Sequence, residues 1–197
     1  FDKVVYIIKL LNSEKTSAVL MELDEDIREK ILLNLSAKEI AEEVEELDSD
    51  DAADIIGELS EERQEAVLSQ IEDEEHVKEI EELLTYDEDS AGGLMAKELV
   101  KVNENWNVLK CVREMRAQAE EVTRVHSIYV VDNDDKLKGR LSLKDLLIAS
   151  TKTAISEVYI PKVDFVNVHD DLDEVSIKMR KYDLEAIPVV DNNGVLL

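Results

Sequence analysis

Long apolar runs and positive charge are both scarce in these 197 residues. Apolar stretches such as Ile31-Leu32-Leu33 and Leu146-Leu147-Ile148-Ala149 span only a few residues, against roughly 20 for a membrane helix. No spanning helix is expected. Residues 1–11 mix Asp2, Lys3 and Lys9 with apolar side chains, and no small-residue cleavage site follows, so they do not read as a signal peptide. The chain reads as cytosolic. Its one cysteine, Cys111, excludes an internal disulfide, and its helical spacing suits a buried thiol. His76, His126 and His169 lack the spacing of metal ligands. Trp106 reads as packing at a strand-to-helix turn. No nucleophile–base pattern, phosphate loop or catalytic acid pair is present, so an enzyme is not expected.

What is abundant is acid. The formal charge is −25, from 48 acidic and 23 basic residues. It is unevenly placed: residues 1–89 hold 30 acidic and 8 basic side chains, or −22, whereas 90–197 hold 18 and 15, or −3. Such a field repels nucleic acid and anionic headgroups and attracts cations or a basic partner. Plain solubility is the alternative reading of the same acids.

Within the acidic half, Leu11, Leu23, Leu35, Leu47, Leu59 and Ile71 recur every twelve residues. The first five are each followed by a helix-starting side chain: Asn12, Asp24, Ser36, Asp48 and Ser60. Apolar residues between them keep helical spacing, as in Ile27, Ile31 and Leu35, then Ile40, Val44 and Leu47, then Ile55, Ile56 and Leu59. Ser36 with Glu39 forms a capping-box pattern. Helices this short need neighbours to cover their apolar stripes, so the repeat predicts a stacked superhelix, with a plain bundle as the alternative. A longer helix over 74–84 is expected to close it.

After Ser90-Ala91-Gly92-Gly93 the pattern changes. Strands are expected at 99–102, 127–131 and 137–142, with helices at 108–119 and 143–149, in the order β-α-β-β-α. Asp132-Asn133-Asp134-Asp135 supplies turn chemistry between the later strands. The order restarts with a strand at 164–168, a helix at 172–181, a strand at 186–190 and a turn at Asp191-Asn192-Asn193-Gly194. Val130-Val131-Asp132 returns as Val189-Val190-Asp191, and Met115-Arg116 as Met179-Arg180. The second copy stops within its last expected strand, as a fragment would.

The β-α-β-β-α pair resembles two CBS motifs. Gly139-Arg140-Leu141-Ser142-Leu143-Lys144-Asp145 is similar to the ligand-binding end of such a motif. That likeness implies Ser142, Lys144 and Asp145 as a site for ATP or another adenosyl nucleotide, with a hydroxyl on phosphate and an aspartate on ribose. A phosphate would sit well at the free N–H groups of a helix start. Ser142 and Asp145 equally match a Ser-x-x-Asp helix cap. Where relatives often place an aromatic to stack on adenine, this chain has His126-Ser127 in the first repeat and Leu184 in the second.

The junction Tyr86-Asp87-Glu88-Asp89-Ser90-Ala91-Gly92-Gly93-Leu94-Met95 and the run Asp50-Asp51-Ala52-Ala53-Asp54 resemble the MgtE family of magnesium transporters. The resemblance covers the whole chain. It implies an α + α/β architecture: an acidic all-α superhelical N domain at 1–89, CBS repeat 1 at 90–152 and a truncated CBS repeat 2 at 153–197. It also implies a homodimer through the CBS repeats, a transmembrane pore domain outside this sequence, and a place at the cytoplasmic face of the cell membrane. The expected role is magnesium sensing that gates the pore by closing the N and CBS domains. A nucleotide-sensing CBS module with a helical docking domain is the alternative. The metal ligands implied are Asp50, Asp51 and Asp54 with Gly93, Asp171, Asp173 and Asp183. Asp50 and Asp54 lie four apart, hence on one helical face, and a hydrated divalent ion needs only one or two carboxylates. Helix capping is the competing role for Asp48, Asp50, Asp171 and Asp173.

Overall fold

The computed structural model describes residues 2–120, 122 and 124–197; Phe1, part of the segment weighed as a signal peptide, lies outside them. Two compact units result, Phe1–Thr85 and Tyr86–Leu197.

The first unit is helical: α1 (Asp2–Ile8), α2 (Ser13–Met21), α3 (Glu25–Leu32), α4 (Ala37–Val44), α5 (Ser49–Gly57), α6 (Glu61–Leu68) and α7 (Glu74–Leu83). Asn12, Asp24, Ser36, Asp48 and Ser60 occupy the N-cap positions of α2 to α6. The Ser36–Glu39 capping box forms in full. The first six end the same way. The N–H groups of Leu11, Leu23, Leu35, Leu47, Leu59 and Ile71 donate to the carbonyl three residues back, that of Ile8, Leu20, Leu32, Val44, Ile56 and Leu68. This tightened last turn satisfies carbonyls that a helix end leaves bare. The acceptor residues also carry the core, since Ile8, Leu20, Leu32, Val44 and Ile56 are all buried.

Packing skips a neighbour: α2 lies on α4, α4 on α6 and α5 on α7. That is the stacked superhelix rather than a bundle. Side chains from later in the chain reach the same repeating carbonyls. Arg28 Nη1 approaches Leu20 O at 3.4 Å, Arg63 Nη2 donates to Leu32 O at 3.0 Å, and the His76 ring meets Val44 O at 3.3 Å. The two arginines bring positive charge to helix C-termini, where it is favourable. One expectation fails: Ile27, placed on the buried stripe of α3, is 40% exposed, while Ile31 and Leu32 bury that helix instead.

A charged group is trapped in this packing. Glu43, on α4, has one carboxylate oxygen sealed from solvent without a hydrogen-bond partner. Burial, then the neighbouring Glu42, with Glu46 and Glu39 adding, pushes its carboxyl up to about 7, against the pull of Ser17 from α2. The folded state therefore holds this proton more tightly than the unfolded chain does. Stability should fall as pH rises from the ordinary carboxylate range through about 7, where the loss is complete. Thermal melts at pH 5 and pH 8 should differ less for Glu43→Gln than for the unsubstituted chain; an equal difference would show that Glu43 is ionised freely in the fold.

In the second unit, β1 (Val100–Asn103) leads through α8 (Val108–Ala119) to β2 (Ile128–Val131), which pairs parallel to it. Next come β3 (Leu137–Leu141), antiparallel to β2, and α9 (Leu143–Ile148). A 3-10 turn at Ile155–Glu157 precedes β4 (Ile160–Pro161), which closes the sheet in the order β1-β2-β3-β4. The turn and β4 fall where no element was expected. The second repeat supplies β5 (Val166–Asn167), α10 (Leu172–Tyr182) and β6 (Val189–Val190), with β5 parallel to β6. Strands 164–168 and 186–190 shorten to these two-residue pairs. Repeat symmetry extends to side chains: Asn103 donates to Asn133 Oδ1 and Asn167 to Asn192 Oδ1, each at 3.1 Å, tying the end of a first strand to the turn after the second. Val100, Val102, Cys111, Ile128, Val130 and Ile155 form the core of repeat 1. Cys111 is fully buried there, and burial pushes its thiol up to about 11, as an inert core residue. Trp106 packs against this core beneath the Lys110 ammonium, 4.4 Å from its ring.

Candidate functional site

The helical unit gathers its carboxylates on α5. Asp48 is its N-cap, Asp50 and Asp51 stand in the first turn, and Asp54 follows one turn on. The opposite face, Ala52, Ala53, Ile55 and Ile56, is buried and fixes the helix, so the aspartates cannot rotate away from one another. Asp50 and Asp51 are half-buried and Asp54 is exposed. Burial first, then Asp50, Asp48 and Asp54, raises the proton affinity of Asp51, while Arg28 opposes the rise. These are hard oxygen donors set near one another against mutual repulsion. Arg28, which sequence reading passed over, is paired with Glu58 at the C-cap of α5.

In the second unit the family junction is built in. Ala91 N–H donates to Asp170 O at 2.8 Å, Gly92 N–H to Val168 O at 2.9 Å, and Leu172 N–H to Asp89 O at 2.8 Å. A Cβ on Gly92 would meet Tyr86 and Val168 at 2.6 Å, and one on Gly93 the Asp87 carbonyl at 2.3 Å. Gly93 is half-buried, and its N–H donates to Ser90 Oγ at 3.3 Å. Asp171 caps α10, accepting from Asp173 N–H at 2.8 Å. Asp183 ends the same helix in the left-handed region, at φ 52°. Ten residues at about 1.5 Å rise put Asp173 and Asp183 roughly 15 Å apart, at opposite ends. Asp50, Asp51 and Asp54 are thus brought together, whereas Asp171 with Asp173 forms one group and Asp183 stands apart.

Ser142 caps α9 and accepts from Asp145 N–H at 3.3 Å, the Ser-x-x-Asp cap in place; Lys144 is exposed. A cavity of about 350 Å³ lies between the repeats, lined mostly by apolar residues including Leu99, Val100, Met179 and Pro188, with Arg124, His126 and Ser127 at the first-repeat side. Ser142, Lys144 and Asp145 do not line it. His169 lies edge-on to Tyr86, their ring centres 6.5 Å apart. Leu109, Leu143, Leu147 and Ile148 are 65, 58, 84 and 75% exposed. The start of α8 is held near the end of α9 by Leu109 N–H donating to Thr151 O at 3.1 Å.

The MgtE intracellular N domain family matches residues 2–89, and the CBS domain family matches 91–152 and 155–197. A crystal structure of the cytosolic domain of the Mg2+ channel MgtE in complex with ATP superposes with a TM-score of 0.88 at 35% identity, covering 99% of this chain and 79% of that one. The chain belongs to the MgtE family. The soluble part of a magnesium transporter matches at a TM-score of 0.83 and 28% identity, over 97% of this chain and 75% of that one. The magnesium transporter MgtE of Thermus thermophilus is 43% identical over 112 residues, 57% of this chain and 25% of that protein. The chain therefore spans about a quarter of this MgtE relative, and no helix among its described residues is long and apolar enough to cross a membrane. Both the acidic solenoid and the CBS pair are MgtE cytosolic architecture.

Proposed function

We propose that this chain is the magnesium-sensing regulatory part of a magnesium transporter, non-catalytic, at the cytoplasmic face of the cell membrane, gating a pore domain outside this sequence. The α5 face carries the reading: Asp50, Asp51 and Asp54 lie about one turn apart, and burial, then the neighbouring acids, raises the proton affinity of Asp51. Gly93, Asp171, Asp173 and Asp183 are the further ligands the family likeness suggests, from the CBS unit. Unscreened carboxylates repel until a divalent ion bridges them, and magnesium, which keeps most of its waters, suits a weak and reversible site. The exposed Leu109, Leu143, Leu147 and Ile148 on α8 and α9 support a homodimer through the CBS repeats, because apolar side chains this exposed favour a protein partner. Small-angle scattering with magnesium titrated at constant ionic strength should give a dimer mass and a radius of gyration that falls as the ion rises. A fall that monovalent salt reproduces would remove specific sensing.

A second reading adds nucleotide, favoured by the ATP in the related cytosolic domain. Asp145→Ala should abolish ATP binding in calorimetry without loss of fold. No heat from any adenosyl ligand would leave Ser142 and Asp145 with helix capping alone.

A further inference from the structure

The acids of α5 share their surroundings with a cation held on a short tether. Arg28, on α3, directs both Nε and Nη2 at the same oxygen of Glu58, Oε1, the former at 2.7 Å. The other oxygen, Oε2, is sealed from solvent and has no hydrogen-bond partner. The two side chains are only 13 and 12% exposed, so this is a fixed pair rather than a transient surface contact. The same guanidinium feels Asp54 and Glu25, and its charge reaches Asp51. Glu58 thus holds Arg28 at the end of α5, four residues beyond Asp54, where its charge reaches the aspartates.

We infer that Arg28 is a built-in competitor for the cation at the α5 aspartates, and that Glu58, by restraining Arg28, sets the magnesium concentration at which those aspartates fill. The inference rests on reading Asp50, Asp51 and Asp54 as cation ligands. A fixed positive charge lowers the attraction of nearby carboxylates for a divalent ion, and a buried pair is screened by salt much less than a surface one. Arginine suits the role because it stays charged at every working pH and its planar fork can be pinned by a single carboxylate. Removing the competitor strengthens the site. Removing its restraint frees the guanidinium to turn toward Asp51 and Asp54, and weakens it.

The two halves of one ion pair should thus act in opposite directions. Amide NMR of the whole chain, titrated with magnesium chloride at fixed ionic strength, reads the half-saturating concentration from α5. Arg28→Gln is expected to lower it about three- to tenfold, and Glu58→Gln to raise it by a similar factor. If the pair only holds the fold together, both substitutions should shift the midpoint the same way, and the inference is overturned. Should Arg28→Gln fail to fold, Glu58→Gln decides alone: a raised midpoint supports the inference, and an unchanged or lowered one ends it. If the unsubstituted chain binds magnesium and both variants keep its midpoint within about twofold, the aspartates remain the sensor and Arg28 has no part in it. If the unsubstituted chain shows no response at millimolar magnesium, the reading of the aspartates fails and takes the inference with it.

Discussion

Replacing Asp50 and Asp54 together by Asn is expected to make the chain resist limited proteolysis at low magnesium as well as the unsubstituted chain does at high magnesium. The substitution removes two negative charges while nearly preserving side-chain shape. Close like charges near a protein surface interact by on the order of a few kcal/mol before screening, and exposure of Asp54 trims that figure. Even about 1.4 kcal/mol of relieved repulsion shifts an open-to-closed equilibrium tenfold. The magnesium dependence should flatten along with the basal sensitivity, and in an intact transporter the pore should stay closed with loss of magnesium uptake. If these aspartates serve only the start of α5, Asn at either position should leave both the digestion rate and its magnesium dependence where they were.

The second large effect is expected at Gly139, for a reason with no electrostatic part. It lies in β3 opposite Pro161 of β4, and a Cβ there would come 2.2 Å from Ile160 O and 2.7 Å from the Tyr159 ring. The nearest obstacle is backbone, which cannot swing aside as a side-chain tip can. Gly139→Ala should therefore push β4 off the sheet edge and cost about 1–3 kcal/mol, lowering the melting temperature of the CBS unit by roughly 5–20 °C. Calorimetry would resolve it. Gly194→Ala is the useful contrast, because its Cβ position is open and only its φ of +81° stands against the change. Equal losses at the two sites would mean that backbone approach at Gly139 is not what fixes the edge.

These cases show where sequence reading succeeds and where it stops. Capping chemistry is local, so Asn12, Asp24, Ser36, Asp48 and Ser60 mark helix starts without any knowledge of the fold, and α8 was expected over the residues it occupies. The four-residue spacing of Asp50 and Asp54 likewise sufficed to place them together. β4 was illegible because two residues carry no periodicity, and only the bare backbone of Gly139 admits them at the sheet edge. Arg28 and Glu58 are 30 residues apart, joined only when the fold brings α3 to the end of α5; the one available signal was a basic residue in a strongly acidic stretch. Ile27 misled because its spacing fits a buried stripe, yet three neighbouring apolar residues, Ile31, Leu32 and Leu35, take up the available core.

The six matching hydrogen bonds at the ends of α1 to α6 carry a consequence for change along the chain. Those six helices finish at the same phase of the beat, and Arg28, Arg63 and His76 reach carbonyls at that phase from farther along. Gaining or losing a residue inside one helix would turn everything after it by about 100° about that helix's axis and carry the side chains that reach back across it away from their partners. Gaining or losing twelve would return every contact to a like neighbour. The acidic solenoid is therefore a ruler graduated in twelves, free to grow or shrink by whole divisions and intolerant of fractions.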